Sequence, residues 1–318
     1  MKYALITLLV ALGAATVFGG QSSMPDSIVV RAGAEEIVLR KVSPAHYGFD
    51  YPDYYMSETE VTNAQFKEYL NDTEQTKDDT NVLRIVRERE ERRVFSTGDI
   101  SYQIKDGKSV WRNGEYPRGL SDHPVTLVTL PDATRFCEWL TQKNPDSGIF
   151  RLPAWNEWMV AAYGGDRNYP WGEEWSAERV HMSYGFEYPD LPTRTEAVMA
   201  RPDGMTPEGL YGMLGNVSVF IVGGDPTDDD YFNLGARWMG GGFTQGTFSR
   251  GNGRVRFRQD YWGYSHHSSL QVCDLGFRIV LDPQGDHSLL KRPRLFPQEN
   301  GSWTISPPEN ERDMKAEP

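Results

Sequence analysis

Hydrophobic and polar positions along the chain fall into short blocks of differing period. Ala4 to Phe18 is almost wholly apolar. From Ser27 to Val42 two alternating runs, SIVVRAG and EEIVLRKV, predict a β-hairpin. Met56 to Val61 reads as extended, and Thr62 then caps a predicted helix from Asn63 to Asn71, with Ala64, Phe66, Tyr69 and Leu70 on one side. The run HPVTLVTL, His123 to Leu130, alternates and predicts a strand. Pro131 and Asp132 open a second helix, Ala133 to Lys143, whose apolar side is Phe136, Cys137, Trp139 and Leu140. A third helix, Ala154 to Tyr163, stops at Gly164-Gly165. Short strands, Gly-rich turns and aromatics follow as far as Ile279-Val280-Leu281.

Few long helical periods and a high content of glycine (31), proline (20) and aromatic residues (12%) indicate an α+β fold with little regular secondary structure. Residues 27–282 read as one domain, with a charged insertion at about 73–108 that includes Arg87 to Arg93, and a Pro-rich tail at 283–318. Lys2, the apolar run and small residues at Gly19 and Gly20 describe a secretory signal peptide over 1–20, with cleavage near Gly19 or Gly20. That run is short for a spanning helix of roughly 20 residues, and no second apolar stretch is long enough. The mature chain is therefore expected in a periplasmic or extracellular setting, without a membrane span.

A net charge of −12 argues against nucleic acid as a partner. The two cysteines, Cys137 and Cys273, could form one bridge in an oxidising compartment or stay as two buried thiols. They are too few for a zinc site built from close cysteine pairs.

Several segments occur in a telling order. Met56-Ser57-Glu58-Thr59-Glu60-Val61-Thr62-Asn63 precedes His123-Pro124-Val125-Thr126-Leu127-Val128. Next come Arg151-Leu152-Pro153 with Glu157-Trp158, then Tyr169-Pro170-Trp171-Gly172. Gly209-Leu210-Tyr211-Gly212-Met213, Gly215-Asn216-Val217 and Asp274-Leu275-Gly276-Phe277-Arg278 complete the set. The ordered set resembles the sulfatase-modifying-factor (formylglycine-generating enzyme) domain family and covers nearly the whole chain after the apolar start. The resemblance implies a compact FGE-like α+β fold related to C-type lectins, in which most of these motif residues pack the core.

In the founding enzymes of that family, two nearby cysteines just ahead of an Arg-rich segment bind copper(I) and oxidise a sulfatase residue to formylglycine. Thiolate is the soft ligand that copper(I) prefers. The matching segment here is Arg254-Val255-Arg256-Phe257-Arg258, which places the cysteine positions at Gln245 and Arg250. Copper is accordingly not expected. The family's calcium motif has an acidic ligand after its Gly-Asn-Val, whereas this chain reads Gly215-Asn216-Val217-Ser218-Val219-Phe220, with Val219 at the acidic position. His181 stands where a second family calcium site has an Asn. Calcium stays open as a ligand of Asn216, or of the acidic run Asp228, Asp229 and Asp230, which equally reads as a solvated loop.

Tyr261, Trp262, His266 and His267 lie in a lengthened loop that faces the substrate groove in the family. With Arg254, Arg256 and Arg258 they are the candidate ligand groove, able to hold a peptide or sugar by stacking and hydrogen bonding. The expectation is a divergent or degenerate member, a pseudoenzyme that binds an exported protein, peptide or glycan. The alternative is a cysteine-independent oxidoreductase acting on an exported protein or peptide. Formylglycine-generating oxidation of sulfatases ranks last.

Overall fold

The computed structural model of the chain describes residues 24–79, 110–164, 167–184, 194–222, 236–243, 246–247, 262–265, 274–283, 296–297 and 303–304. The opening hairpin pairs β1 (Ser27–Ala32) with β2 (Glu35–Val42), as the alternation predicts. β2 continues to β3 (Tyr54–Ser57). The sheet is completed by β11 (Val280–Asp282), which slots between β3 and β4 (Ile149–Arg151) to give the order β1-β2-β3-β11-β4. Val280 pairs with both Met56 and Arg151, so the far end of the domain is stitched to its beginning.

Three helices form where local chemistry starts them. The Thr62 hydroxyl accepts from Gln65 N (3.2 Å) and Gln65 Oε1 accepts from Thr62 N (3.0 Å), a reciprocal cap for α1 (Asn63–Asp72). Gln65 is buried by this role while Ala64 is only half-buried. Thr129 and Asp132 make the same exchange for α2 (Leu130–Lys143), one turn earlier than Pro131 and Asp132 suggest. In α3 (Trp155–Tyr163) every residue is buried, and the cap comes from Glu157, whose Oε2 accepts from Ala154 N (2.7 Å).

His123 to Leu130 is not a strand. Thr62 and Pro124 make an isolated bridge, Leu127 turns to φ +55, and Thr129 already caps α2. The alternation reflects irregular burial: Val125, Leu127 and Val128 are all inside. The Leu127 carbonyl accepts from the buried Lys77 ammonium (2.8 Å), which also pairs with Asp79 (2.5 Å). Lys77 and Asp79, at the start of the charged stretch, are thus buried. Asp79 N donates to Trp111 O and Trp111 N to Asp79 Oδ2, each at 3.0 Å, so positions 79 and 111 lie side by side.

α1 and α2 cover one core, where Phe66, Tyr69, Phe136, Trp139 and Phe277 meet at ring separations of 5.3–6.1 Å. α3 packs on a second, with Val217, Val219 and Ile221. A smaller sheet joins β10 (Leu275–Gly276), β6 (Ser218–Ile221), β7 (Ala236–Met239) and β9 (Trp262–Ser265) in that order, with β10 and β6 parallel. Two-residue strands pair β5 (Ser183–Tyr184) with β8 (Gly246–Thr247). In the tail, β12 (Phe296–Pro297) pairs with β13 (Trp303–Thr304). No helix among the described residues is long and apolar enough to cross a membrane.

Candidate functional site

Three motif segments converge on one buried corner. The Arg278 guanidinium donates to Ser57 O (2.6 Å) and Tyr211 O (2.5 Å), tying together the first, fifth and last motifs. It comes within only 3.9 Å of Glu60 Oε2, although both side chains are wholly buried. Neither Glu60 carboxylate oxygen makes a hydrogen bond of good geometry among the described residues. Burial pushes Glu60 up to about 7, with Arg278 only partly offsetting it. The same burial lowers Arg278 to about 10. Gly212 has φ +60, and a Cβ there would collide with the Glu60 carboxylate, so glycine is demanded twice over.

The Gly215-Asn216-Val217 turn borders this corner. Asn216 sits at φ +60. Its Oδ1 accepts from Glu196 N (3.0 Å) and its Nδ2 donates to Glu196 O (3.3 Å). Its backbone N donates to His181 O (2.8 Å) and its carbonyl accepts from Phe243 N (2.9 Å). The Glu196 carboxylate is held by Arg201, through Nε (2.5 Å) and Nη2 (3.1 Å), and by His181 Nδ1 (3.2 Å). Arg201, Tyr211, Gly212 and Asn216 border a cavity of about 20 Å³ that also meets His181 and Glu196. That is room for about one water molecule and none for an organic ligand.

These residues do not fit the calcium cage that the resemblance implies. Such a cage takes roughly six to eight oxygens. Here the nearest carboxylates already face cationic side chains, Glu196 against Arg201 and Glu60 against Arg278. Val219, at the acidic position, is buried and apolar in β6. No group of three or more His, Cys, Asp or Glu side chains among the described residues could hold a metal ion.

The thiol of Cys137 is free and packed in the core under α2, and burial pushes its pKa far above the ordinary thiol range. Trp262 opens β9, the outer strand of the smaller sheet, in register with Met239. Cys273, Gln245, Arg250, Arg254, Arg256, Arg258, Tyr261, His266, His267, Asp228, Asp229 and Asp230 lie outside the described residues, as does the apolar start. The predicted groove is thus represented by the backbone of Trp262.

Comparison with known proteins bears on this arrangement. Residues 14–283 match the FGE-sulfatase family, the sulfatase-modifying factor enzyme 1-like domain. The chain belongs to that family. The formylglycine-generating enzyme of Bos taurus is 27% identical over 190 residues, which is 51% of this chain and 46% of that protein. The formylglycine-generating enzyme of Streptomyces coelicolor is 28% identical over 186 residues, 52% of this chain and 55% of that one. A protein named serine/threonine-protein kinase pkn1, from Chlamydia pneumoniae, is 32% identical over 161 residues, 49% of this chain and 20% of its own length. The chain thus spans about half, or less, of the length of these relatives.

Among solved structures, Treponema denticola variable protein 1 aligns with TM-score 0.53 and 17% identity, over 82% of this chain and all of that one. PvdO from Pseudomonas aeruginosa aligns with TM-score 0.52 and 16% identity, also over 82% of this chain and all of its own. The FGE-like α+β fold is thereby established.

Within this sulfatase-modifying-factor domain, the motifs form the corner while a partner outside any motif closes it. Glu60 and Arg278 each stand in a quoted motif, yet nothing in their spacing, more than two hundred positions apart, signals that they meet. Glu196 and Arg201 lie in a stretch without hydrophobic period and gave no sequence signal at all.

Proposed function

We propose that this chain is an exported, divergent sulfatase-modifying-factor domain that binds a protein, peptide or glycan outside the cytoplasm and does not carry out copper–cysteine oxidation. The observation that carries the reading is the cysteine inventory. The chain has two cysteines, Cys137 and Cys273, far apart in sequence, and the first is locked in the core. No pair of neighbouring thiolates is available to a copper(I) ion, and hard side chains such as those of Gln245 and Arg250 are poor substitutes for them. The apolar start from Ala4 to Phe18 supports export.

Among the described residues the strand that Trp262 opens is the outer one of the smaller sheet, a placement that supports a ligand surface there. The experiment is binding of the purified chain to peptide and glycan arrays, repeated with Trp262→Ala and with His266→Ala/His267→Ala. A ligand retained by the parent chain and lost at least about tenfold in both variants is the expected result. Undiminished binding by both variants would remove the groove assignment. The cysteine-independent oxidoreductase is the reading to adopt if a bound peptide returns with altered mass.

A further inference from the structure

We infer that the segment from Arg194 to Gly204 is fastened to the strip near 178–181 and to the Gly215-Asn216-Val217 turn by side chains of the chain itself, with Arg201, His181 and Asn216 gathered around Glu196 in place of a metal ion. The inference goes beyond the binding role and does not depend on it. Asn216, Arg201 and His181 all meet Glu196. Its main chain makes a two-way pairing with the Asn216 amide, N to Oδ1 at 3.0 Å and Nδ2 to O at 3.3 Å. Its carboxylate takes Arg201 on both oxygens, at 2.5 and 3.1 Å, the fork geometry of a strong charge-assisted pair. His181 Nδ1 lies 3.2 Å away on the same carboxylate, and its other ring nitrogen lies 3.0 Å from the Arg194 carbonyl.

Arg201 then reaches across to a third strip of chain, donating from Nη1 to Glu178 O at 2.7 Å. Three separate segments are thus held together around Glu196, that near 178–181 through Arg201 and His181 and that at 216 through the Asn216 amide on the Glu196 main chain. A calcium ion does the same work elsewhere by drawing oxygens from several loops to one point. Here a guanidinium already stands against the carboxylate that such an ion would need, and Like-charge repulsion would keep a divalent cation out of a space that holds about one water.

The test is thermal unfolding of the full chain in 1 mM calcium chloride and, separately, in EGTA, with amide exchange read over residues 194–204. A site occupied at about a hundred times its dissociation constant would add some 2.7 kcal/mol, which is several degrees for a chain of this size. The expected result is the same melting temperature in both buffers to within about 1 °C. Arg201→Ala is expected to melt several degrees lower in both, and to exchange amides across 194–204 at least about tenfold faster. Should that variant fail to fold, Arg201→Lys, which keeps the charge and loses the fork, is expected to fall between the two. A melting temperature raised by more than about 3 °C by calcium would overturn the inference, as would unchanged exchange in Arg201→Ala.

Discussion

At the corner between β4 and α3, Arg151 meets Glu157 through two hydrogen bonds of 2.6 and 2.7 Å, while at the corner beneath the Asn216 turn Arg278 stays 3.9 Å from Glu60. All four side chains are buried, and all four stand in the motifs that mark the family. In the first pair, burial works against the Arg151 charge, but Glu157 outweighs it and the pKa is raised. In the second, burial wins on both sides, raising Glu60 and lowering Arg278. The same two residue types therefore serve as a rigid strut in one place and as a poorly compensated charge pair in the other. Geometry decides: a bidentate contact offsets desolvation, and a loose one does not.

Breaking the strut should have the largest effect. Glu157→Ala leaves Arg151 buried with only the more distant Asp282 carboxylate, 3.9 Å away, and removes the cap of α3. A loss of about 3–5 kcal/mol is expected in urea unfolding.

The loose pair should reveal itself through pH. Glu60 rises from its ordinary 4.5 to about 7, so the folded chain holds this proton more tightly than the unfolded chain does. The associated stability is complete below about pH 4.5 and is lost as pH climbs through about 7, an effect of about 3 kcal/mol if Glu60 acted alone. Glu60→Gln should flatten the stability profile between about pH 5 and 8.

Gly212→Ala attacks the loose corner sterically, by its φ of +60 and by contact with the Glu60 carboxylate. A cost of about 2 kcal/mol in the same unfolding measurement is expected. The smallest effect belongs to a pair that lies in solvent. Arg31 and Glu36 are 2.8 Å apart but more than half exposed, and Glu36→Gln should change stability by less than about 0.5 kcal/mol.

Much of the frame was legible because local rules and tertiary structure agree there. The β1–β2 hairpin follows its alternation, and Thr62 begins its helix as its side chain dictates. The motif Arg151-Leu152-Pro153 with Glu157 was legible as structure, since the pair is near in sequence. The run from His123 to Leu130 misled because alternation reports burial, and burial there is supplied by an irregular segment bent at Leu127 to receive Lys77. The corner itself was illegible. Glu60 and Arg278 meet through the return of β11 beside β3, and Glu196 and Arg201 follow no period. Contacts made by topology leave no mark on neighbouring positions.

The central claim is that the family scaffold is kept while its copper–cysteine chemistry is absent. It is tested most directly by incubating the purified chain with copper(I), oxygen and a peptide bearing a sulfatase cysteine motif, followed by mass spectrometry of the peptide. An unchanged peptide mass, with the thiol still titratable, is the result predicted by the two distant cysteines. Conversion of the peptide cysteine to an aldehyde by the chain, above the level seen with copper alone, would contradict it.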